Sequence, residues 1–323
     1  MPFAMRVHRT GGPDVMQWEP VEVSEPGPRQ VRLRHTAIGL NFLDTYFRSG
    51  LYPLPVPFIP GAEAAGVIEA VGSDVVGFSR GDRVAYAGAT GAYAEQRVID
   101  ADALVGLPDG IDDRIAAAVL LQGVTARFLV KEVRPVTNGE FILVHAAAGG
   151  VGGLLCQWAR ALGARPIGTV SSSAKAEVAV QNGCEHVIIT TEQDFAVRVN
   201  EITAGRKLGV VFDSVGRDTF AGSLDCLRPR GMMVVYGQSS GVIAPLEINL
   251  LARKGSLILT RPVMPDFVGT RAQMAEAAAD LFDAIQKGLL TVRIGQTRPM
   301  TEAADAHRDL ENRRTIGSTV FTL

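Results

Sequence analysis

Residues 141–170 read FILVHAAAGGVGGLLCQWARALGARPIGTV, and this stretch decides the fold of the chain. An apolar run ends at a cluster of glycines, an apolar-rich helical segment follows, and a second apolar run closes the stretch. This order predicts a strand, a glycine-rich turn, a helix and a second strand, which together form a βαβ unit. In such a unit the turn is the place where the pyrophosphate of a dinucleotide binds.

The candidate phosphate-binding residues of the turn are Gly149, Gly150, Val151 and Gly152. The first two glycines let the backbone approach the phosphates because they carry no Cβ, and Gly152 lets the helix pack close to the strand. The match to G-x-G-x-x-G is imperfect, since Ala147 stands at the place of the first glycine. The alternative is a glycine-rich turn in an ordinary parallel sheet.

The end of the second strand indicates which dinucleotide binds. NAD-binding proteins usually carry an Asp or Glu about 20 residues beyond the glycines. Residues 169–175 read TVSSSAK instead, so no carboxylate is present to repel a 2′-phosphate. Ser171 can donate a hydrogen bond and Lys175 supplies a positive charge, although a solvated lysine in the first turn of a helix would look the same. The pattern favours NADPH over NADH.

Composition excludes several classes of protein. The 323 residues suggest two domains, and 47% apolar with 20% charged residues is an ordinary globular mixture. The net charge of −2 predicts neither a nucleic-acid nor a membrane partner. The N-terminal residues show no apolar signal core, so we expect a cytoplasmic protein. The three cysteines share no Cys-x-x-Cys spacing and are expected to be buried free thiols.

Residues 5–108 are β-rich, and residues 51–60, with four prolines, are predicted to form a loop. Residues 111–133 are predicted to be helical. Strands then alternate with helices, which predicts a doubly wound parallel sheet. The predicted strands are residues 141–146, 165–170, 186–190, 209–213, 231–236 and 256–260. A helix over residues 270–287, a strand, a helix and a last strand over residues 318–323 are expected to return to the first domain.

Several stretches together resemble one known family. They are residues 39–53 (GLNFLDTYFRSGLYP), 60–72 (PGAEAAGVIEAVG), 81–86 (GDRVAY), 145–152 (HAAAGGVG), 213–216 (DSVG) and 310–318 (LENRRTIGS). Their order and spacing resemble the medium-chain dehydrogenase/reductase superfamily, in particular its zinc-free NADPH:quinone oxidoreductase (zeta-crystallin-like) branch. The resemblance implies a GroES-like β-barrel domain over residues 1–122, a Rossmann domain over residues 123–264, and a return to the first domain over residues 265–323. It also implies an active site in the cleft between the domains.

The zinc enzymes of this superfamily bind their catalytic metal through a Cys and through the His of a Gly-His-Glu motif. This chain carries Asn41 in place of that Cys and reads Gly61-Ala62-Glu63 at the motif. Neither an amide nor an alanine is a credible zinc ligand, so we expect no metal. Without a metal to polarise a carbonyl, the substrate must already be electrophilic, as a quinone or a conjugated enone is.

The resemblance implies that Asn41, Tyr46 and Tyr52 line the substrate cleft, with Thr125 near the nicotinamide. The two tyrosines could equally be packing residues beside the prolines. The residues that the resemblance places at the cofactor are Gly149, Gly150, Val151, Gly152, Ser171, Lys175, Gly237, Ser239 and Arg313. Thr190 stands where many relatives carry a tyrosine near the adenine.

The leading hypothesis is an NADPH-dependent quinone reductase that works by hydride or electron transfer without a metal. The alternatives are an enone or alkenal reductase and, from another class, a binding or structural protein, since relatives serve as lens proteins and bind RNA. Residues 256–262 (SLILTRP) are apolar and come last in the predicted parallel sheet. Such an exposed edge predicts a homodimer with residues 257–260 at its interface, as in relatives.

Overall fold

The computed structural model describes all 323 residues, Met1–Leu323, and the chain divides into two compact units. Unit 1 comprises Met1–Val124, Val268–Lys287 and Val292–Leu323, and unit 2 comprises Thr125–Phe267 and Gly288–Thr291. None of the helices combines the length and the apolar character that a membrane-spanning helix needs.

The strands are β1 (Phe3–Val7), β2 (Met16–Pro20), β3 (Gln30–Leu40), β4 (Glu63–Val71), β5 (Arg83–Ala87), β6 (Gln96–Asp100), β7 (Val105–Gly106), β8 (Phe141–Val144), β9 (Arg165–Val170), β10 (His186–Ile189), β11 (Leu208–Asp213), β12 (Leu227–Val235), β13 (Ile258–Thr260), β14 (Ile294–Pro299) and β15 (Ser318–Thr322). The α-helices are α1 (Phe42–Ser49), α2 (Asp113–Phe128), α3 (Gly150–Ala161), α4 (Ser173–Gln181), α5 (Phe195–Ile202), α6 (Phe220–Asp225), α7 (Asn249–Arg253), α8 (Pro265–Val268), α9 (Arg271–Gln286) and α10 (Ala303–Glu311). A π-helical turn, Leu129–Val133, extends α2.

Unit 2 is built on a parallel sheet with the strand order β10-β9-β8-β11-β12-β13. The helices α3 to α7 connect successive strands along the chain. The strand order reverses between β8 and β11, which is the topological switch point where doubly wound sheets bind ligands at the carboxyl ends of their strands. The predicted doubly wound sheet is therefore confirmed.

The central strands of this sheet are buried on both faces. Leu143 on β8 and Val211 on β11 are partners in the parallel register, and both are fully buried. Every residue of β11 is buried, so its sequence, LGVVFD, is an almost unbroken apolar run rather than an alternating one. This is the pattern expected where helices cover both faces of a sheet.

Unit 1 contains a seven-stranded sheet in which β14, β15, β3, β4, β5 and β7 are neighbours in that order, and β6 pairs with β3. The last strand, β15, pairs antiparallel with β3 through Thr319 and Leu40. The C-terminal segment therefore completes the first unit, as predicted. Its core contains Tyr93 and Phe321, whose ring centroids lie 5.3 Å apart in an edge-on arrangement.

Several elements differ from the sequence-based prediction. The strand β8 ends at Val144 rather than at residue 146, because Ala146 has a positive φ of 55° and turns the chain, and β12 begins at Leu227 rather than at residue 231. The helix α1 lies in the region predicted to be β-rich, and it ends at Gly50, whose φ of 83° is the left-handed conformation of a helix C-terminus. The strand β13 has three residues and begins at Ile258 rather than at residue 256. Gly255 and Ser256 have positive φ values of 107° and 55°, so the chain turns there before the strand begins. The predicted loop over residues 51–60 is confirmed.

Candidate functional site

The glycine-rich turn of unit 2 joins β8 to α3. The first bond at the start of the helix runs from the Gly153 amide to the Gly149 carbonyl oxygen at 2.9 Å. The amides of Gly150, Val151 and Gly152 precede this bond and have no helical carbonyl to bond. Together with the positive end of the helix dipole, they form a place that fits a phosphate.

The turn packs directly against the start of α3. A Cβ on Gly152 would overlap the carbonyl oxygen of Ala146 and would lie 3.1 Å from that of His145. The role predicted for Gly152, close packing of helix on strand, is therefore physically required here. Ala147, in place of the first glycine of the pattern, is fully buried. Its methyl group has room because β9 carries Gly168 opposite it.

The end of β9 lies beside this turn, since β8 and β9 are neighbours and the Ala147 amide donates to the Thr169 carbonyl at 3.1 Å. Ser171 directly follows β9, and Lys175 lies half-buried in the first turn of α4. The sheet thus places a serine and a lysine at the same edge as the glycine turn.

Thr190 follows β10, the next strand along this edge. Its amide and its hydroxyl both donate to the Val170 carbonyl, at 2.9 and 3.2 Å. The hydroxyl is therefore engaged with the backbone of β9. A threonine offers no ring on which an adenine could stack, unlike the tyrosine that the family resemblance leads one to expect at this position.

Gly237 and Ser239 follow β12 and pack against the segment after β11. A Cβ on Gly237 would lie 2.8 Å from the Ser214 carbonyl oxygen, and the Ser239 amide donates to that oxygen at 3.0 Å. Asp213 ends β11 and holds this segment, because its Oδ1 accepts from the amides two and three residues ahead at 2.7 and 3.0 Å. Both predicted residues therefore lie at the carboxyl edge of the sheet.

His145 follows β8 directly and joins three strand ends at this edge, a role that no motif indicates. Its Nδ1 lies 2.8 Å from Thr169 Oγ1 and its Nε2 lies 2.8 Å from Ser223 Oγ, which is 3.4 Å from Asp213 Oδ2. Burial lowers the pKa of His145, so the ring is neutral at pH 7. Because Ser223 donates to the carboxylate, Nε2 carries the proton and Nδ1 accepts from Thr169.

In unit 1, Asn41 at the start of α1 and Glu63 at the start of β4 form a buried pair. Asn41 Nδ2 donates to Glu63 Oε2 at 2.8 Å, and the Leu121 amide donates to Oε1 at 2.7 Å. Gln122 Nε2 donates to Asn41 Oδ1 at 3.2 Å, which fixes the end of the carboxamide that faces the carboxyl group. The Ser318 hydroxyl lies 2.8 Å from Gln122 Oε1. Four elements, α1, β4, α2 and β15, thus meet around Asn41.

Two fully buried carboxyl groups lie in this network. Burial raises the pKa of Glu63 to about 8, against the opposing effect of the hydrogen bonds from Asn41 and Leu121. Burial likewise raises the pKa of Asp44 to about 7. Asp44 Oδ2 accepts from the Asn41 amide at 2.9 Å and from the Tyr93 hydroxyl at 3.0 Å. The backbone and the side chain of Asn41 are therefore each held by a different carboxyl group.

The network continues from Tyr93 to residues distant in sequence. The Tyr93 hydroxyl lies 3.0 Å from His307 Nε2, and burial lowers the pKa of His307 to about 3. His307 Nδ1 lies 3.2 Å from Nη1 of Arg48, whose guanidinium pairs with Glu311 at 2.5 Å. Tyr93 and His307 are 214 positions apart, so no local sequence pattern could have joined them.

Tyr46 and Tyr52 lie on α1 and just after it. Their rings meet edge-on with centroids 5.3 Å apart, and the Tyr52 amide donates to the Tyr46 carbonyl at 3.0 Å. Phe42 and Phe47 extend this aromatic cluster. The structure therefore brings two of the predicted cleft residues together, in the segment that begins with Asn41.

Two predicted residues lie apart from these groups. Thr125 is half-buried in the last turns of α2 and belongs to unit 2. Arg313 is exposed between α10 and β15 in unit 1, with a φ of 58°. Their assignments, to the nicotinamide and to the cofactor, stay predictions.

The positions at which the resemblance places zinc ligands carry Asn41 and Ala62, and both are buried. The Asn41 carboxamide is hydrogen-bonded at both ends, and the Ala62 methyl group has no lone pair. No three His, Cys, Asp or Glu side chains of the chain converge in a way that could hold a metal ion. These residues therefore do not fit a catalytic zinc.

A doubly wound sheet with a glycine-rich turn at the start of its first helix, and a β-rich unit completed by the C-terminal strand, define a medium-chain dehydrogenase/reductase. Residues 27–109 match the family described as alcohol dehydrogenase GroES-like domain, and residues 150–284 match the family described as zinc-binding dehydrogenase. The second region contains neither Asn41 nor Ala62, so the match does not bear on the metal ligands.

Three similar proteins narrow this class. A quinone oxidoreductase of Pseudomonas aeruginosa is 50% identical over 313 residues, which cover 96% of each chain. A 2-haloacrylate reductase of a Burkholderia species is 46% identical over 329 residues, 99% of each chain. The crystal structure of an Escherichia coli quinone oxidoreductase in complex with NADPH covers 99% of this chain and all of its own, with a TM-score of 0.98 and 43% identity. The chain belongs to the quinone oxidoreductase branch of the medium-chain dehydrogenase/reductase superfamily.

The raised pKa values predict how the stability of the protein depends on pH. From about pH 4 the unfolded chain releases the protons of both carboxyl groups, whereas the folded chain keeps the proton on Asp44 up to about pH 7 and the proton on Glu63 up to about pH 8. The stability that these two protonated groups give the folded chain is therefore fully present at low pH. It is lost as the pH rises through their folded-state pKa values. We expect the free energy of unfolding of the wild type, relative to Asp44→Asn, to fall by about 3 kcal/mol between pH 5 and pH 8.

Denaturant unfolding at the two pH values measures this difference. Asp74→Asn, which removes an exposed carboxyl group of the same unit, is the matched control and should follow the wild type at both pH values. A difference between wild type and Asp44→Asn that does not change with pH would contradict the assignment.

Proposed function

We propose that the protein reduces quinones with NADPH and without a metal. The observation that carries the proposal is the full-length likeness to a quinone oxidoreductase crystallised with NADPH, in a chain whose Asn41 and Ala62 do not fit zinc. The quinone oxidoreductase of Pseudomonas aeruginosa, 50% identical, supports the same substrate class. Free, buried cysteines support a cytoplasmic location, where thiols stay reduced.

Unit 2 supplies all but one of the residues that hold the cofactor in this proposal, and the exception is Arg313 of unit 1. The amides of Gly150, Val151 and Gly152 bind the pyrophosphate, and Gly149 lets it approach the backbone. Ser171 and Lys175, at the end of the neighbouring strand, bind the 2′-phosphate. The remaining proposed cofactor residues are Thr190, Gly237, Ser239 and Arg313.

NADPH, when bound, supplies a hydride to the substrate. The protein's part is to hold an electrophilic ring and to stabilise the negative charge that its oxygen acquires. The Asn41 carboxamide nitrogen carries two N–H groups, and one of them is used by Glu63 at 2.8 Å. We assign the second N–H to the substrate oxygen. Tyr46 and Tyr52 form the aromatic wall on which the ring rests, and Thr125 contacts the nicotinamide.

Reduction of a conjugated double bond is the second candidate function. The 2-haloacrylate reductase that covers 99% of this chain at 46% identity supports it. The chemistry is closely related, because hydride addition to either substrate leaves charge on an oxygen conjugated with the reacting carbon. A third candidate, a binding or structural role without catalysis, has no observation of this kind in its favour.

A substrate panel tests the proposal. We expect kcat/KM for 1,4-benzoquinone to exceed that for 2-chloroacrylate and for alkenals at saturating NADPH. Asn41→Ala should lower kcat for the quinone about 100-fold, the effect of removing one donor to a developing oxyanion, with little change in the Kd of NADPH. If the wild type instead prefers 2-chloroacrylate, the protein is a reductase of conjugated double bonds. If it turns over neither class of substrate, only the binding or structural role remains.

Cofactor choice gives a second prediction. Lys175→Ala should weaken NADPH binding by about 1.5–3 kcal/mol, the range for a hydrogen bond to a charged group, and should barely change NADH binding. The measurement is fluorescence titration with both cofactors. Lys287→Ala, an exposed lysine of unit 1, is the control and should change neither affinity. Equal losses for NADPH and NADH would show that Lys175 has a structural role.

We also propose a homodimer that forms through residues 256–262. The strand β13 is the last in the sheet of unit 2, and one of its sides lacks a partner strand. Ile258 and Leu259 are 47% and 37% exposed, which is unusual for adjacent aliphatic residues on an edge strand. Leu257, predicted to lie at the interface, has its side chain in the core of unit 2 instead. The proposed contact is therefore centred on Ile258 and Leu259.

Ile258→Lys places a charge at the proposed contact without altering the backbone. We expect it to raise the dimer Kd at least about tenfold, or roughly 1.4 kcal/mol, in sedimentation equilibrium. Val180→Lys alters an aliphatic residue of α4 that is 60% exposed, and this control should remain dimeric. A monomeric wild type at micromolar concentration, or an unchanged dimer in Ile258→Lys, would refute the interface.

A further inference from the structure

A pocket in unit 2 lies at the sheet edge opposite the glycine turn. It has a volume of about 530 Å³ and is lined at the amino-terminal ends of four neighbouring strands. Phe141 and Arg165 begin β8 and β9, and Gly209 and Arg228 are the second residues of β11 and β12. The turn proposed to bind the cofactor lies at the carboxyl ends of the same strands. The pocket and the turn are therefore separated by the length of the strands.

The lining of this pocket is strongly basic. It contains Arg134, Arg165, Arg206, Lys207 and Arg228, and Glu140 is its one acidic residue. The whole chain carries a net charge of −2, so this concentration of positive charge is local. Such a cluster raises the local concentration of anions.

Two of these cations are already neutralised. Arg134 pairs with Glu140 at 2.7 Å, and Arg165 pairs with Glu185 at 2.5 Å while lying over the Phe141 ring. The side chains of Lys207 and Arg228, by contrast, form no ion pair or hydrogen bond. Arg206 uses only its Nε, which donates to the Thr203 carbonyl at 3.2 Å, so its two terminal nitrogens are not engaged. Three cationic groups therefore remain available to a ligand.

Gly209 forms the floor of the pocket. A Cβ there would overlap Glu140 Oε1 and would lie 3.2 Å from the Nη2 atoms of both Arg134 and Arg228. The two guanidinium groups therefore converge above one point of the backbone. Arg228 reaches this position because β12 is irregular: its register to β11 shifts between the pairs Leu208–Leu227 and Val210–Met232. The extra residues bulge out of the strand and carry the arginine over the floor.

We propose that this pocket binds a small phosphorylated anion with at least two negative charges. Arginine forks bind phosphate oxygens in bidentate fashion, and a lysine adds a point charge. The three available cations match a diphosphate or a phosphate monoester better than a single carboxylate. The volume of about 530 Å³ admits a ligand as large as a nucleotide but not a folded macromolecule.

Calorimetric titration with pyrophosphate tests the site in protein saturated with NADPH, so that the proposed cofactor site is filled. We expect one pyrophosphate per chain, with an affinity that falls as salt is added. Lys207→Glu/Arg228→Glu should weaken binding at least about tenfold. Arg29→Glu/Arg80→Glu is the matched control, because it changes the net charge equally at exposed residues of unit 1, and it should bind like the wild type.

If Lys207→Glu/Arg228→Glu has a lowered melting temperature, the neutral variant Lys207→Gln/Arg228→Gln takes its place in the titration. It too should lose pyrophosphate binding. The absence of binding by the wild type at millimolar pyrophosphate would overturn the proposal, as would equal affinity in the control and in the pocket variants. Inorganic phosphate and ADP, titrated in parallel, distinguish a simple phosphate site from a nucleotide site. If NADPH itself fails to bind, the proposed function fails, yet the comparison of the pocket and control variants still reports on this pocket.

Discussion

The buried hydrogen bond between Glu63 and Asn41 is the interaction around which the site in unit 1 is built. Its carboxyl group accepts from the Asn41 side chain at 2.8 Å and from the Leu121 amide at 2.7 Å, and so joins β4 to α1 and α2. A charged carboxylate away from water is far more costly than a neutral carboxyl group, which is why burial raises the pKa of Glu63 to about 8. These hydrogen bonds hold a carboxamide at the position where the family resemblance predicts a zinc ligand in the metal-dependent enzymes.

A comparable set of buried hydrogen bonds joins strand ends in unit 2. His145 connects the ends of β8 and β9 through Thr169, and it reaches β11 through Ser223 and Asp213. These strand ends carry the glycine turn, the Ser171–Lys175 segment and residues 214–216, against which Gly237 packs. Burial lowers the pKa of the histidine, and its partners are buried, so these strand ends are joined by hydrogen bonds away from water. The basic pocket occupies the opposite edge of the same sheet.

The local patterns of the sequence were sufficient for most of the fold. The strand β9 has the predicted bounds, because its β-branched and apolar residues lie between clear glycine and serine boundaries. The helix α1 was missed, since its sequence FLDTYFRS is rich in aromatic residues that favour strands as readily as helices. The residues around Asn41 could be predicted only in part. Gln122 and Ser318 reach it from distant parts of the chain, and only the folded unit brings them together.

The central claim is that this chain catalyses hydride transfer to an electrophilic substrate with no metal at Asn41. Its most direct test is NADPH oxidation by 1,4-benzoquinone after exhaustive chelation, with the metal content of the same sample measured by elemental analysis. The account predicts substoichiometric zinc and a kcat unchanged by chelation. Loss of activity on chelation, restored by one equivalent of zinc, would contradict it.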